Sequence, residues 1–397
     1  MSKVNELIKK LCPNGVEYKS IKDTCVVLKK GTLKTTDLLE SGYPVINSGR
    51  NLYGYYDQYN NDGNAFTVAA RGEYAGYINY FSDKFWAGGL CYPYRSKSEE
   101  LLNTKFIYYC LKNIEKTIRK EIVADGSIPA LNKGDLELIL IPVPPLEVQE
   151  EIVKILDKFG ELEAELEAEL EARESQYEFW SGKIFESHMS GETKHITDIA
   201  LVKARVGWQR LTTAEYLNTG DYYLITGTDF TPEGKIDFNN CVYVTKERYE
   251  MDENIQVHQN DILITKDGTL GKIAYLEKEP DKLTTLNSGV FRIKIIDENV
   301  LPRYIFHYFN SKVFKDFIEK VKTGSTIPHL TQEKLVGLNI PIPNIEEQKR
   351  IISILDKFSN LTRSLSVGLP AEIELRRKQY EYYRNKLLSF EELTVSE

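Results

Sequence analysis

The sequence predicts an α+β protein, in which two similar α+β domains are separated by two long, antiparallel, coiled-coil-like helices with pseudo-two-fold symmetry. Three observations lead there. The second half of the 397-residue chain repeats motifs of the first at a constant offset. Each repeat ends in a helical segment too long and too charged to lie wholly on a core. The residues between these segments have the texture of short strands and turns.

The repeat is the firmest of the three. Gly126-Ser127-Ile128-Pro129-Ala130-Leu131 resembles Ser325-Thr326-Ile327-Pro328-His329-Leu330, and Ile141-Pro142-Val143-Pro144 resembles Ile340-Pro341-Ile342-Pro343. Gln149 matches Gln348, and Ile155-Leu156-Asp157-Lys158-Phe159 returns letter for letter at Ile354 to Phe358. All share an offset of 199 residues, half the chain, which marks a duplicated architecture.

The helices follow from spacing. Ile152, Ile155, Phe159, Leu162 and Leu166 are spaced 3-4-3-4, as are Ile351, Ile354, Phe358, Leu361 and Leu365. That is the apolar seam of a coiled-coil helix. Further on, Arg173, Gln176, Tyr177, Glu178 and Lys183 match Arg376, Gln379, Tyr380, Glu381 and Lys386 at offset 203, so the second copy holds four extra residues around Gly368-Leu369-Pro370. Four residues are close to one helical turn, so the apolar face keeps its direction, while Pro370 should break or kink the helix. A short amphipathic helix usually lies on its own domain's core. Glu147 to Ser187, however, would extend ~60 Å, and reads as a rod. Two rods leading away from their own domains most simply pack on each other, antiparallel.

The intervening residues are rich in Tyr, Gly, Asn, Thr and β-branched side chains. Ala65 to Ala69 and Asp261 to Thr265 read as strands bounded by turns, and Thr104 to Lys120 and Pro302 to Lys322 as helices. The domains are expected at 1–145 and 191–343, and the long helices at 146–190 and 344–397.

Composition narrows the class. No apolar run approaches the ~20 residues of a membrane span, and the charged N-terminus lacks a signal-peptide stretch, so a soluble, cytoplasmic protein is expected. Cys12, Cys25, Cys91, Cys110 and Cys241 are odd in number and far apart, which suits buried, reduced thiols and no zinc site. The net charge of -8 argues at first against a nucleic-acid partner. Yet residues 147–178 alone carry -9, leaving the rest at +1 and free to form local basic surfaces.

Catalytic constellations are missing. Gly268-Thr269-Leu270-Gly271-Lys272 is no phosphate loop, because Lys266 stands where its first Gly belongs and Ile273 where Ser or Thr should hold magnesium. His188, His195, His258, His307 and His329 do not cluster, so no metal is expected. No nucleophile elbow or dinucleotide fingerprint occurs. Val143-Pro144-Pro145-Leu146 lacks the polar residue and stacking aromatic with which an amino-methyltransferase holds a flipped base.

Taken twice, the series Ser/Thr-Ile-Pro-x-Leu, Ile-Pro-x-Pro, Glu-x-Gln, Ile-Leu-Asp-Lys-Phe and a long helix resembles the specificity subunit of type I restriction-modification systems. The resemblance covers essentially the whole chain and is strongest over 125–159 and 324–358. Tyr43 to Gly49 and Tyr222 to Thr228 both look like the first core strand and its loop, and Arg71 to Gly76 and Lys266 to Gly271 like the second. The resemblance implies a non-catalytic, double-stranded-DNA-binding protein, each domain reading half of a bipartite, asymmetric target. It implies two modification subunits bound to the helices and methylating adenine N6, with restriction subunits where present. S-adenosylmethionine, ATP and magnesium would then sit on those partners, and no cofactor on this chain.

Base readout needs side chains that donate and accept in a groove, with cations nearby for phosphate. The loop 47–56 supplies Asn47, Ser48, Arg50 and Tyr53 between glycines, although an ordinary Gly-Asn turn accounts for it equally well. Arg71 and Tyr74 follow from the second strand. Thr226, Thr228, Lys266, Thr269 and Lys272 are their candidates in the second domain. Arg71 and Lys266 are expected on equivalent turns, Lys266 toward phosphate and Arg71 toward either phosphate or a guanine edge. The two seams are the expected partner interface. A helical-rod adaptor binding proteins without DNA is the alternative.

Overall fold

A computed structural model of the chain describes residues 2–206, 211–267, 270–322, 329–364 and 366–393. It forms two compact units, residues 1–164 with 375–397, and residues 165–374.

Both units are built on one plan. In the first, a four-stranded antiparallel sheet has the order Cys25–Val27, Cys91–Ser96, Ala65–Ala69, Ile78–Phe81. In the second, the order is Ala200–Ala204, Val290–Ile295, Ile262–Thr265, Ile273–Tyr275. Ala65–Ala69 and Ile262–Thr265 are buried at every position, which is why they read as unbroken apolar runs rather than alternating strands.

A three-stranded sheet accompanies each. Tyr43–Ile46 runs antiparallel to Gly54–Tyr56 and parallel to Trp86–Ala87. Tyr222–Ile225 runs antiparallel to Val242–Tyr243 and parallel to Leu283–Leu286. A two-strand clip joins Glu17–Ser20 to Leu140–Val143, and Thr193–His195 to Asn339–Pro341. The repeated Ile-Pro pair thus lies in a clip strand each time.

The repeated glutamine ties the domain to its long helix. Gln149 donates from Nε2 to the carbonyls of Leu101 (3.0 Å) and Pro144 (2.6 Å), and accepts the Asn103 N–H (2.8 Å). Gln348 donates to Asn299 (2.9 Å) and Pro343 (2.8 Å) and accepts the Leu301 N–H (2.9 Å). Both are fully buried, so each side chain must satisfy backbone groups that have no water.

The first long helix is continuous from Leu146 to His188, 43 residues. It carries two apolar stripes. Val148, Ile152 and Leu156 are buried in the first unit's core. Ile155, Phe159, Leu162 and Leu166 are half-buried. Phe159 packs on Tyr380 (6.0 Å) and Tyr383 (5.7 Å), and Glu163 accepts from Arg377 (2.6 Å). In the second unit Tyr177 packs on Phe358 (6.4 Å) and under the Arg363 guanidinium (4.9 Å), while His188 Nε2 lies 3.4 Å from Glu347. In both, residue numbers on one helix rise as they fall on the other, so the pairing is antiparallel.

The seam needs correction in detail. Ile152 and Ile351 are fully buried in their domain's core cluster, four residues before the buried Leu156 or Leu355, rather than half-buried along the seam. Ile354 and Phe358 are half-buried, Leu361 is 37% exposed, and Leu365 lies outside the described residues.

The C-terminal helix is two helices, Ile345–Arg363 and Leu369–Leu387. The break falls where the four extra residues were placed, but Pro370 does not cause it. The first helix already ends at Ser364, which is extended, and Gly368, at φ +102° where a Cβ would collide with the Asn360 carbonyl oxygen, leads directly into the second. Pro370 sits in the first turn of the next helix, where its missing N–H costs nothing.

All five cysteines are free and buried, and burial pushes the thiols of Cys25 and Cys91 up to about 11 and about 12. Among the described residues, no helix is long and apolar enough to cross a membrane.

Candidate nucleic-acid interface

The mixed three-stranded sheet of the first unit contributes Asn47, Tyr53 and Trp86 to one cleft. Tyr43–Ile46 ends at Asn47, whose Oδ1 accepts the Leu90 N–H (2.8 Å). Gly88 is packed so close to Asn47 that a Cβ there would lie 2.6 Å from Oδ1. Tyr53, 46% exposed, has its hydroxyl 3.0 Å from Thr35 Oγ1. Asn47 and Tyr53 line a cleft of about 300 Å³ with Thr32, Leu33, Trp86 and Gly88. Exposed Lys29, Lys30 and Lys34 belong to the same loop as Thr32, and Lys30 Nζ donates to the Gly89 carbonyl (3.2 Å). This lysine loop was missed from the sequence. Three lysines in six residues around Gly31 were the available signal.

Three residues beyond Asn47, Arg50 is exposed with its guanidinium 6.0 Å over the Tyr77 ring. Tyr77 meets Tyr74 edge-on (6.5 Å) and carries Lys112 Nζ at 3.9 Å. Ser48 is half-buried. Arg71 is exposed just past the strand Ala65–Ala69 and bridges to Ala130.

In the second unit, Thr226, Thr228 and Lys272 come together. Thr226 donates from its backbone (2.6 Å) and hydroxyl (3.0 Å) to Asp229 Oδ2, and its hydroxyl lies 2.7 Å from that of Thr228. Burial pushes the Asp229 carboxyl up despite these bonds. Exposed Lys272 donates to the Gly227 carbonyl (3.4 Å). Thr269 lies outside the described residues. Lys266 is half-buried, its ammonium 5.3 Å from the Phe291 ring.

Arg71 and Lys266 are not equivalent. Arg71 bridges to Ala130, and it is Asp267 that bridges to His329. Leu131 N–H reaches the Ala70 carbonyl (2.8 Å), and Leu330 N–H that of Lys266 (3.0 Å). Lys266 therefore corresponds to Ala70, and the position of Arg71 is taken by Asp267, which pairs with His329 (2.6 Å). From these equivalent positions to Gly76 and Gly271 the second turn is one residue shorter, which shifts the cation by one position.

The arrangement can bind a polyanion through exposed Lys and Arg, and present amide, hydroxyl and aromatic groups between them. Among the described residues, no group of three or more His, Cys, Asp or Glu could hold a metal.

Comparison with known proteins agrees. Residues 13–172 and 191–375 match the family described as the type I restriction modification DNA specificity domain. The chain belongs to the type I restriction-modification DNA specificity family. It is a specificity subunit, a DNA-recognition subunit and not itself a methyltransferase. A Haemophilus influenzae type I restriction enzyme specificity subunit is 31% identical, covering 94% of this chain and 96% of that protein. The EcoR124I/EcoR124II specificity subunit of Escherichia coli is 32% identical over 72% of this chain and 70% of its own. The fold matches the S subunit of M. genitalium, with a TM-score of 0.54 at 18% identity, covering 96% and 97% of the two chains. It also matches a chain from a study of type I R-M complex assembly, with a TM-score of 0.62 at 13% identity, covering 95% and 98%.

Within the first unit of this specificity subunit, the long helix borders a groove of about 730 Å³ lined by Ile155, Phe159 and Leu162 of the expected seam, with Val153, Asn103 and Asp157. The seam is therefore only partly closed by the neighbouring helix.

Proposed function

We propose that this specificity subunit reads a bipartite, asymmetric duplex sequence in the cytoplasm, residues 1–145 reading one half and 191–343 the other. The long helices, 146–190 and 344–397, scaffold two methyltransferase subunits, which supply S-adenosylmethionine and methylate adenine N6. Restriction subunits, where present, add ATP- and magnesium-dependent cleavage. One observation carries the reading. Two units of one plan present different chemistry at equivalent loops, an amide–aromatic cleft with a lysine loop in the first and a Thr–Thr–Lys cluster in the second. Equal scaffolds with unequal loops suit two independent readers. The seam groove beside Phe159 supports a partner at the helices. Asn47, Ser48, Arg50, Tyr53, Arg71 and Tyr74, and Thr226, Thr228, Lys266, Thr269 and Lys272, are the proposed contacts.

The test is a mobility shift of the full chain, with and without modification subunits, on random duplex pools at several salt concentrations. Selection of a split sequence and affinity falling steeply with salt are expected. Salt-insensitive or absent DNA binding by the assembled complex would favour an adaptor role instead.

A further inference from the structure

A motif repeated in both domains has a residue that packing does not explain. In Ser127-Ile128-Pro129-Ala130-Leu131, Leu131 is buried in the core, which accounts for its recurrence as Leu330. Pro129 has a fixed φ and offers its carbonyl to the Gly72 N–H (2.9 Å). Ile128, which recurs in the sequence as Ile327, is 66% exposed. Folding alone gives no reason to keep a β-branched apolar residue at such a tip.

The tip is also built rather than loose. Ala124 and Ala130 exchange two backbone hydrogen bonds (2.8 and 3.2 Å), closing a five-residue loop, Asp125 to Pro129. The root is stitched to the strand-end turn by Leu131 N–H to the Ala70 carbonyl, and that turn is braced by Arg119 donating to the Glu73 carbonyl (3.0 Å). Exposed Gly126 and Ser127 precede Ile128. Exposed Arg71, Arg119 and Lys120 flank it, with exposed Glu73, Glu121 and Asp125 also on these segments. Arg71 and Tyr74 continue this surface into the patch of Tyr77 and Arg50.

We propose that the hairpin Ala124–Ala130 is a sequence-independent grip on DNA, with Ile128 as an apolar contact on the minor-groove face and Ser127 donating to phosphate. This rests on the DNA-recognition reading above and adds a surface to it. The argument is one of shared need. Two domains that read different bases still meet the same sugar–phosphate geometry, so a contact written into both should address the duplex and not its sequence. Ile is among the side chains used as minor-groove wedges, and hydroxyl and backbone donors are ordinary phosphate contacts. A methyltransferase partner is the other surface common to both halves. The neighbouring guanidiniums and aromatic patch favour the polyanion.

The experiment uses the full chain assembled with its modification subunits, on fluorescent target and random duplexes. Ile128→Ala should weaken binding to both about tenfold, the weight of the apolar area lost, and leave the base preference unchanged. Ile128→Met should restore affinity to within about twofold. Thermal unfolding and co-purification of the partner should not change, since the side chain is exposed. Unaltered affinity of Ile128→Ala for DNA that the wild type binds would overturn the grip alone. Loss of the partner would make the hairpin a protein contact, and a changed preference at one base pair would make it a reader; either overturns it. A wild-type complex that binds no DNA would overturn the recognition reading and the grip together.

Discussion

The same aspartate of the repeated Ile-Leu-Asp-Lys-Phe does one job in the two units with different partners. In the first, Asp157 accepts from the Tyr109 hydroxyl (2.5 Å) and Lys105 (2.8 Å). In the second, Asp356 accepts from His307 Nε2 (2.7 Å) and Arg303 (2.9 Å). Each pair lies four residues apart on the domain helix, Thr104–Asn113 or Pro302–Asn310, so one turn of helix meets one carboxylate. The repeated glutamine, by contrast, bonds only backbone and keeps equivalent partners in both. Contacts to backbone are insensitive to the partner's side chain and so stay alike. Contacts to side chains drift while the geometry holds. The loops after the first strand of each three-stranded sheet differ more, an amide at Asn47 in one and a threonine pair at Thr226 and Thr228 in the other.

The largest expected effect breaks the comparison at the level of whole domains. Replacing residues 15–140 with the corresponding domain of another specificity subunit should redirect one half of the methylated sequence and leave the other unchanged. Sequencing methylated sites reads this directly, and a change in both halves would end the idea of independent readers.

Next comes the glutamine pair. Gln149→Leu and Gln348→Leu each strand three buried backbone groups, and each should cost about 3 kcal/mol in chemical unfolding of the full chain. The two costs should agree, because the two sets of bonds do. A gap of more than ~1 kcal/mol would show that equal geometry conceals unequal packing.

The aspartate partners should separate the units by pH. Burial lowers the His307 pKa below its ordinary 6.5, outweighing the Asp356 hydrogen bond, and neighbouring Arg303 lowers it further. Among the described residues, its buried Nδ1 has no hydrogen-bond partner. A depressed histidine contributes stability that is present above its unfolded pKa and lost as pH falls below it. Hydrogen exchange in Pro302–Asn310 should therefore quicken as pH, after correction for intrinsic rates, drops below about 6.5, and His307→Gln should remove that dependence. Thr104–Asn113 should show none in this window, since burial and the Asp157 hydrogen bond push the Tyr109 hydroxyl up and away from it. Matching profiles in the two helices would contradict the contrast.

The smallest effect concerns the cations. Arg71→Ala should flatten the salt dependence of DNA binding by about one unit if Arg71 meets phosphate. If it reads a guanine edge, the loss should be about 1–3 kcal/mol and confined to one position. Lys266→Ala should act on the other half-site and more weakly, because its ammonium already lies over Phe291. Equal effects would restore the equivalence that the bridge pattern denies.

Most of the architecture was legible because it is carried by local pattern and by repetition. The strands Ala65–Ala69 and Ile262–Thr265, the domain helices and the long helix all announce themselves through apolar runs and spacing. The break before Leu369 was legible in place and not in cause, since the first helix already ends at the extended Ser364, ahead of both Gly368 and Pro370. Of the candidate site, the loop at Asn47 was found by composition, whereas the lysine loop beside it was not, because only the sheet brings residues 29–34 to residues 47–53.

By itself, then, the sequence determined the duplication, the antiparallel helical rods, the family and the absence of a recognisable catalytic motif, since each is a matter of order and spacing along the chain. Only the tertiary structure decided which stripe of the long helix faces the core, that Thr226 and Thr228 are bound into a cap on Asp229, and that Asp267 stands where Arg71 was to have its counterpart. The physical reason is that these depend on register. A shift of one residue in a turn leaves composition and periodicity unchanged, yet replaces the side chain presented at a fixed point of the surface.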